Sequence, residues 1–273
     1  MKQKEFNCDD SIEIAEKIYW VGFSDENAGF HCNPYLIVDN DEAVLIDSGS
    51  RNDFSTVMLK IMRTGINPKR IVRLIYQHYD PDLCGNIPHM EAMIENPDLK
   101  IISHRENNIF INYYSAKSPR LCIEDLGLCF EFSSGRRLEF IRTPYCHSPG
   151  SFITYDTKTK VLFSSDIFGA YDSNWTFYTQ ITEDCYCCDT ATGCAVKDDK
   201  CQMDGIIDFH KIIMPSTQAL RFALDRIEKL DISLIAPQHG SILDTTVSRD
   251  VAVKRLKSLA SVGFDYFVEG NDV

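Results

Sequence analysis

The sequence predicts an α+β fold in which helices cover a strand core, built as a single domain over residues 1–273. Three observations predict it. Short apolar runs rich in β-branched and aromatic residues alternate with longer helical patterns. No repeat, low-complexity stretch or linker divides the chain. Its 44% hydrophobic content over 273 residues suffices for one substantial core, or for packed layers around one sheet system.

The elements follow in order. IYWVGF, PYLIVD and AVLIDSGS read as three successive strands, with DNDE (39–42) as a turn. SGSRND caps a helix near 54–64, FSTVMLKIMRT, which GINPKR ends. IVRLIYQH is an apolar strand running straight into the charged stretch HYDPD, and a helix follows near 87–95. KIISH reads as a strand and RENNIFINYY as a helix. LEFIRTP is a strand ending at Pro144, which delivers Tyr145, Cys146 and His147. SFITYD and KVLFSSD form a hairpin through DTKT. Residues 171–208 read as an irregular Cys-rich insertion. HKIIMPSTQALRFALDRIEKL is helical with Pro215 interrupting its start, DISLIAPQHGS is a strand, and the C-terminal stretch is helical and then frayed.

The formal net charge of −12 argues against nucleic-acid and anionic-membrane partners, because both demand a basic face. It suits metal cations. No apolar run approaches the roughly 20 residues of a membrane span, and the N-terminal stretch has no apolar segment of the signal-peptide kind, so a cytoplasmic protein is expected. Eleven cysteines, an odd count, speak against a full disulfide framework. Six are scattered: Cys8, Cys32, Cys84, Cys122, Cys129 and Cys146. Five crowd together: Cys185, Cys187, Cys188, Cys194 and Cys201. Their spacing, C-x-C-C-x5-C-x6-C, lacks the paired CxxC pattern of zinc knuckles, so a loop with reduced thiols is favoured over a thiol metal or redox site.

The chemistry sits at strand ends. In LIYQHYDPD, RTPYCHSPG, LFSSD and LIAPQHG an apolar run stops and an ionisable residue follows, giving His78, Asp80, Asp82, His147, Asp166 and His239. A lone histidine or aspartate in such a place is more often a turn or cap residue. Six in the same context can converge on one sheet edge. Imidazoles and carboxylates are ligands for divalent first-row metals, and six exceed what one zinc with an open position uses. They suit two metals: one with His78, Asp80 and His147, the other with Asp82 and His239, bridged by Asp166. No G-x-S-x-G, H-E-x-x-H or P-loop competes with this reading.

At these residues the sequence resembles the metallo-β-lactamase superfamily, and within it the diiron domain of flavodiiron proteins. Superfamily hydrolases typically carry H-x-H-x-D-H, and flavodiiron proteins carry a carboxylate in place of the second histidine. HYDPDL has Asp80 there. IYWVGFSDENAGFH, DPDLCGNIP, HSPGSFITYD, LFSSDIFGAY and IAPQHGSI also look like flavodiiron segments in family order, over about residues 12–262. The resemblance implies an αββα sandwich with the site at one edge of the two sheets. It implies two bridged non-haem irons, and reduction of O2 or NO with electrons from FMN in a fused flavodoxin domain.

Three features depart from the family. No flavodoxin-like segment is seen, so FMN is not expected within this chain. Leu83 stands where the family's last motif histidine stands, which leaves the second metal poor in ligands unless His89, His31 or Cys84 fills the gap. The Cys-rich insertion is longer than expected. Asp47 matches a buried aspartate that braces the metal loop in superfamily members, and with Tyr79, Leu83, Cys84 and His89 it makes up the candidate surroundings of the site. His104 and His210 read as surface histidines.

Stand-alone domains of this kind resemble the oxygen-binding diiron proteins linked to bacterial O2 sensing and chemotaxis. The first expectation is therefore an O2-binding sensor that acts on a signalling protein, with no catalytic residue beyond the metal ligands and with a homodimer compatible. The second is an oxidoreductase reducing O2 or NO with an external electron-donor protein. The third is a dinuclear zinc hydrolase, against which the added carboxylate of Asp80 argues.

Overall fold

The computed structural model describes residues 6–23, 31–171, 175–187 and 201–268. Twelve strands lie among these residues: β1 (Ile12–Ala15), β2 (Ile18–Trp20), β3 (Tyr35–Asp39), β4 (Glu42–Ile46), β5 (Ile71–Ile75), β6 (Lys100–Ser103), β7 (Arg120–Cys122), β8 (Cys129–Glu131), β9 (Arg137–Arg142), β10 (Phe152–Asp156), β11 (Val161–Phe163) and β12 (Leu234–Ala236). The helices are α1 (Phe54–Arg63), α2 (Pro81–Cys84), α3 (Ile87–Ile94), α4 (Arg105–Ile111), α5 (Gln202–Ile213), α6 (Thr217–Ile227), α7 (Thr246–Lys257) and α8 (Phe264–Val268).

The strands form two sheets, β1-β2-β3-β4-β5-β6-β7 and β12-β11-β10-β9-β8. The central strands read as unbroken apolar runs because both faces are buried, as between a second sheet and a helical layer. Their side chains alternate between two cores. In β3 and β4, Tyr35, Ile37, Val44 and Ile46 enter the space between the sheets, while Leu36, Ala43 and Leu45 face the outer layer with Val57 and Ile61 of α1 and Ile87 and Met90 of α3. In β11 and β12, Val161, Phe163, Leu234 and Ala236 face inward. Leu162 and Ile235 of the same strands meet α5, α6 and α7 through Phe209, Leu224 and Val251. The architecture is the αββα sandwich of the metallo-β-lactamase type.

The structure adds to and corrects the expected elements. β1, β7, β8 and α2 were not expected; the three strands are mostly unburied, so no unbroken apolar run marks them. Residues 202–208, expected to be irregular, belong to α5. Met214–Ser216 separates α5 from α6, at the Pro215 that the sequence marked as a break. No helix among the described residues is long and apolar enough to cross a membrane.

Register decides which ends meet. β3 pairs antiparallel with β4 and β4 parallel with β5, so Tyr35, Ile46 and Ile75 lie abreast. The start of β3 therefore shares an edge with the ends of β4 and β5. In the second sheet Phe163 and Ala236 lie abreast at the ends of parallel β11 and β12, and the β9–β10 connection opens at the same end.

Candidate metal centre

All six candidate ligands gather at this edge. His78 and Asp80 follow β5, and Asp80 is the residue before α2, where Pro81 fixes the turn. Asp82 stands in the first turn of α2. His147 comes from the β9–β10 connection, Asp166 follows β11 and His239 follows β12. Gly240, at φ +78°, makes the turn after His239, and a Cβ there would lie 2.9 Å from that of Ala170.

The geometry divides into two halves that share Asp166. His147 Nε2 lies 3.1 Å from both Asp80 Oδ2 and Asp166 Oδ2. His78 Nε2 lies 3.7 Å from the same Asp166 oxygen and 3.9 Å from Asp80 Oδ2. The other oxygen, Asp166 Oδ1, faces His239 Nε2 at 3.7 Å, and His239 Nε2 lies 3.1 Å from Asp82 Oδ2. His78, His147 and Asp166 place ligand atoms within 4.8 Å of one another, and so do Cys32, Asp82 and His239. Asp166 is 2% exposed, and its Oδ1 has no hydrogen-bond partner among the described residues. A buried carboxylate oxygen without a donor is costly, and a cation would satisfy it. The donor set of imidazole and carboxylate fits first-row divalent ions.

Electrostatics agree. Burial raises the Asp166 carboxyl, yet His78, His147 and His239 outweigh burial and hold it well below the usual carboxylate range. Burial lowers His147, but its hydrogen bonds to Asp166 and Asp80 push it up to about 10. The same contest raises His239 through Asp82 and Cys32. The carboxylates stay ionised and draw positive charge to this edge, as they would a metal cation.

The surroundings orient the rings. His239 Nδ1 donates to the His31 carbonyl (2.8 Å), which turns Nε2 toward Asp82 and Asp166. His78 Nδ1 lies 3.0 Å from Ser165 Oγ. Asp47 accepts from the Gln77 amide (3.3 Å), beside His78, and burial raises its carboxyl. Asp47, Tyr145, Ser165 and Phe168 all hold positive φ, at +55°, +61°, +53° and +70°. Such strain clusters where surrounding structure over-determines the backbone.

The other sequence candidates lie outside the two ligand groups. Tyr79 stacks on Phe110 at 4.3 Å. Leu83 is fully buried in the core under the first sheet, with Tyr76, Cys84 and Ile87, and is turned there by bonds from the Ser48 amide and hydroxyl to its carbonyl (3.1 and 2.8 Å). Cys84 Sγ contacts the His78 carbonyl (3.6 Å). The His89 ring packs against Phe54 and the His31 ring against Trp175. His104 and His210 are not surface residues. His104 caps α4 and meets Glu124 at 2.7 Å. His210, fully buried, accepts from the Phe168 amide (3.1 Å) and donates to the Ile206 carbonyl (2.7 Å), and burial pushes it down to about 4. Cys188 and Cys194 lie outside the described residues, while Cys185 and Cys201 pack partly against the outer core of the second sheet.

Sequence reading passed over two fixing residues and one thiol. Asn107 of α4 donates to the Gly150 carbonyl (2.9 Å) and to Ser103 Oγ (3.1 Å), with Gln77 O at 3.4 Å, so it ties the His78 and His147 loops together. Asn33 donates to the Pro237 and Gly240 carbonyls (3.0 and 2.9 Å) and accepts from Trp20 Nε1 (2.8 Å), which clamps the start of β3 to the His239 loop. The thiol is Cys32. The signal available for it was the position of HCNP just ahead of a strand antiparallel to β4.

Residues 30–240 match the family described as ODP family beta lactamase. An uncharacterized protein of Methanocaldococcus jannaschii is 30% identical over 278 residues, covering 93% of this chain and 64% of that protein. The nitric oxide reductase of Moorella thermoacetica is 26% identical over 246 residues, covering 85% of this chain and 57% of the reductase. The chain thus spans less than two thirds of these relatives. Two solved structures are similar at 26% identity, each covered for 98% of its length and covering 95% of this chain: the peroxy diiron species of chemotaxis sensor ODP, with TM-score 0.72, and the apo state of chemotaxis sensor ODP from T. denticola, with TM-score 0.75.

Proposed function

The chain belongs to the ODP family of β-lactamase-like proteins, and from that premise we propose that it is a non-haem diiron protein that binds O2 and serves as an oxygen or redox sensor acting on a signalling protein. The observation that carries the reading is Asp166, which turns one carboxylate oxygen to each half of the centre and leaves one of them without a hydrogen bond.

His78, Asp80 and His147 would hold one iron, Asp82 and His239 the other, and Asp166 would join them. Iron held by these residues would supply the redox chemistry for taking up O2. The protein supplies the rest. His31 and Ser165 contact the outer nitrogens of His239 and His78, which leaves both Nε2 atoms directed at the carboxylates. Asp47 holds the Gln77 amide and thereby the loop that carries His78. Asn107 and Asn33 hold the facing loops in register across the two sheets, so the site tolerates little relative movement. Tyr145, half-exposed beside His147, borders the solvent side.

A reductase reading also has a specific support, the similarity to a nitric oxide reductase of which the chain covers 57%. It would need electrons from a separate donor protein. Anaerobic loading with ferrous iron, then O2 addition with optical spectra and O2 consumption followed together, separates the two. For the sensor, about one O2 is taken up per pair of irons and a new absorption band persists. Continued consumption once a reduced donor protein is added marks the reductase. Failure to take up iron overturns both.

A further inference from the structure

The second half of the centre is a ligand short by sequence, and the structure offers a donor for it. Leu83, at the position that matched a histidine, turns its side chain into the core under the first sheet. Asp82 and His239 remain, and with them stands Cys32, its sulfur within 4.8 Å of a carboxylate oxygen of Asp82 and a ring nitrogen of His239. Cys32 is 2% exposed.

Three features hold the sulfur there by construction. The Phe23 amide donates to the Cys32 carbonyl (3.2 Å). Gly22 passes so close that a Cβ on it would lie 2.2 Å from that carbonyl, so only glycine permits the approach. The next residue, Asn33, is the buried clamp to the His239 loop, and its own amide donates to the Gln238 carbonyl (2.9 Å). The cysteine and the histidine are thus carried on two segments bolted to each other. Cys84 and Cys146, the other buried thiols near the edge, belong to neither ligand group among the described residues.

We propose that Cys32 is a ligand of the second metal position, giving that metal a thiolate in place of the imidazole that Leu83 withdraws. The proposal rests on the two-metal reading above. The two metals then differ in kind: the first has nitrogen and oxygen donors only, while the second adds a soft sulfur donor that favours late first-row ions and changes the redox balance of the pair.

Cobalt(II) tests it without reference to activity. The full chain is titrated anaerobically with cobalt, and bound metal is counted while the near-ultraviolet thiolate-to-cobalt absorption is recorded for wild type, Cys32→Ser and Cys84→Ala. The expected result is about two cobalts bound to wild type with the thiolate band. Cys32→Ser should lose the band and weaken the second cobalt at least about tenfold, while Cys84→Ala keeps both. Adding Leu83→His to Cys32→Ser should recover the second cobalt without the band. Two cobalts with no thiolate band in wild type, or a band that survives Cys32→Ser, overturns the assignment of Cys32 and leaves the two-metal reading standing. No cobalt bound to wild type overturns both.

Discussion

Two buried aspartates stand at opposite ends of the second sheet, and they teach different things. Asp156 ends β10 at the end far from the centre. It is fully buried and fully satisfied: Arg136 donates to both its oxygens (3.1 and 2.7 Å), and the Thr159 hydroxyl and amide add further bonds. Asp166, just past β11 at the near end, is as buried but meets three imidazoles and keeps one oxygen with no hydrogen-bond partner among the described residues. The first is a closed arrangement that serves the fold. The second is open to a cation. Burial of a charge alone does not separate structure from function; the accounting of its hydrogen bonds does.

The contrast can be broken by exchanging each carboxylate for an amide. Asp166→Asn should abolish binding of the metal pair, with iron content measured by elemental analysis falling to one per chain or fewer. Retention of two irons would falsify the bridging role. Asp156→Asn should leave metal content unchanged but strand the buried Arg136 charge. Its expected cost is about 3–5 kcal/mol, a fall in Tm of roughly 10 °C in thermal unfolding. If the metal-free Asp166→Asn variant melts lower than Asp156→Asn, the two roles are misassigned.

A smaller effect sharpens the comparison within the centre. Leu83→His puts a polar ring where a fully buried leucine packs, so the metal-free protein should lose about 2 kcal/mol. Iron dissociation from the second position should slow, as followed by chelator competition. Unchanged dissociation would mean that the histidine stays turned into the core with the rest of α2.

The smallest effect is in acid. Burial raises Asp156, but the Arg136 and Thr159 bonds hold it below the usual carboxylate range. Its stabilisation is therefore complete above the unfolded-state value and is lost as pH falls through the lowered folded one. The difference in Tm between wild type and Asp156→Asn should stay constant from neutral pH down to the carboxylate range and then narrow. A gap that widens toward acid contradicts the pairing. His210 adds to the acid limb with the same sign: pushed down to about 4, it favours the fold while neutral, and its contribution fades as pH falls from the ordinary histidine value toward 4.

The sequence by itself determined where chemistry can sit. Apolar runs buried on both faces must end somewhere, and the polar residues that follow, His78 after β5, Asp166 after β11 and His239 after β12, are forced to a sheet edge by local pattern alone. The covering helices α1, α3, α6 and α7 were legible for the same reason, while β1, β7 and β8 are mostly unburied and carry no unbroken apolar run. Only the tertiary structure decided what those edges meet. Cys32 reaches His239 because β3 runs antiparallel to β4 and because Asn33 bonds to carbonyls more than 200 positions away. Leu83 turns inward because the Ser48 amide and hydroxyl hold its carbonyl. His210 is buried because α5 begins earlier than its polar sequence suggests and packs Phe209 against the Asp166 turn. Each of these depends on contacts between distant segments, which no periodicity along one segment can encode.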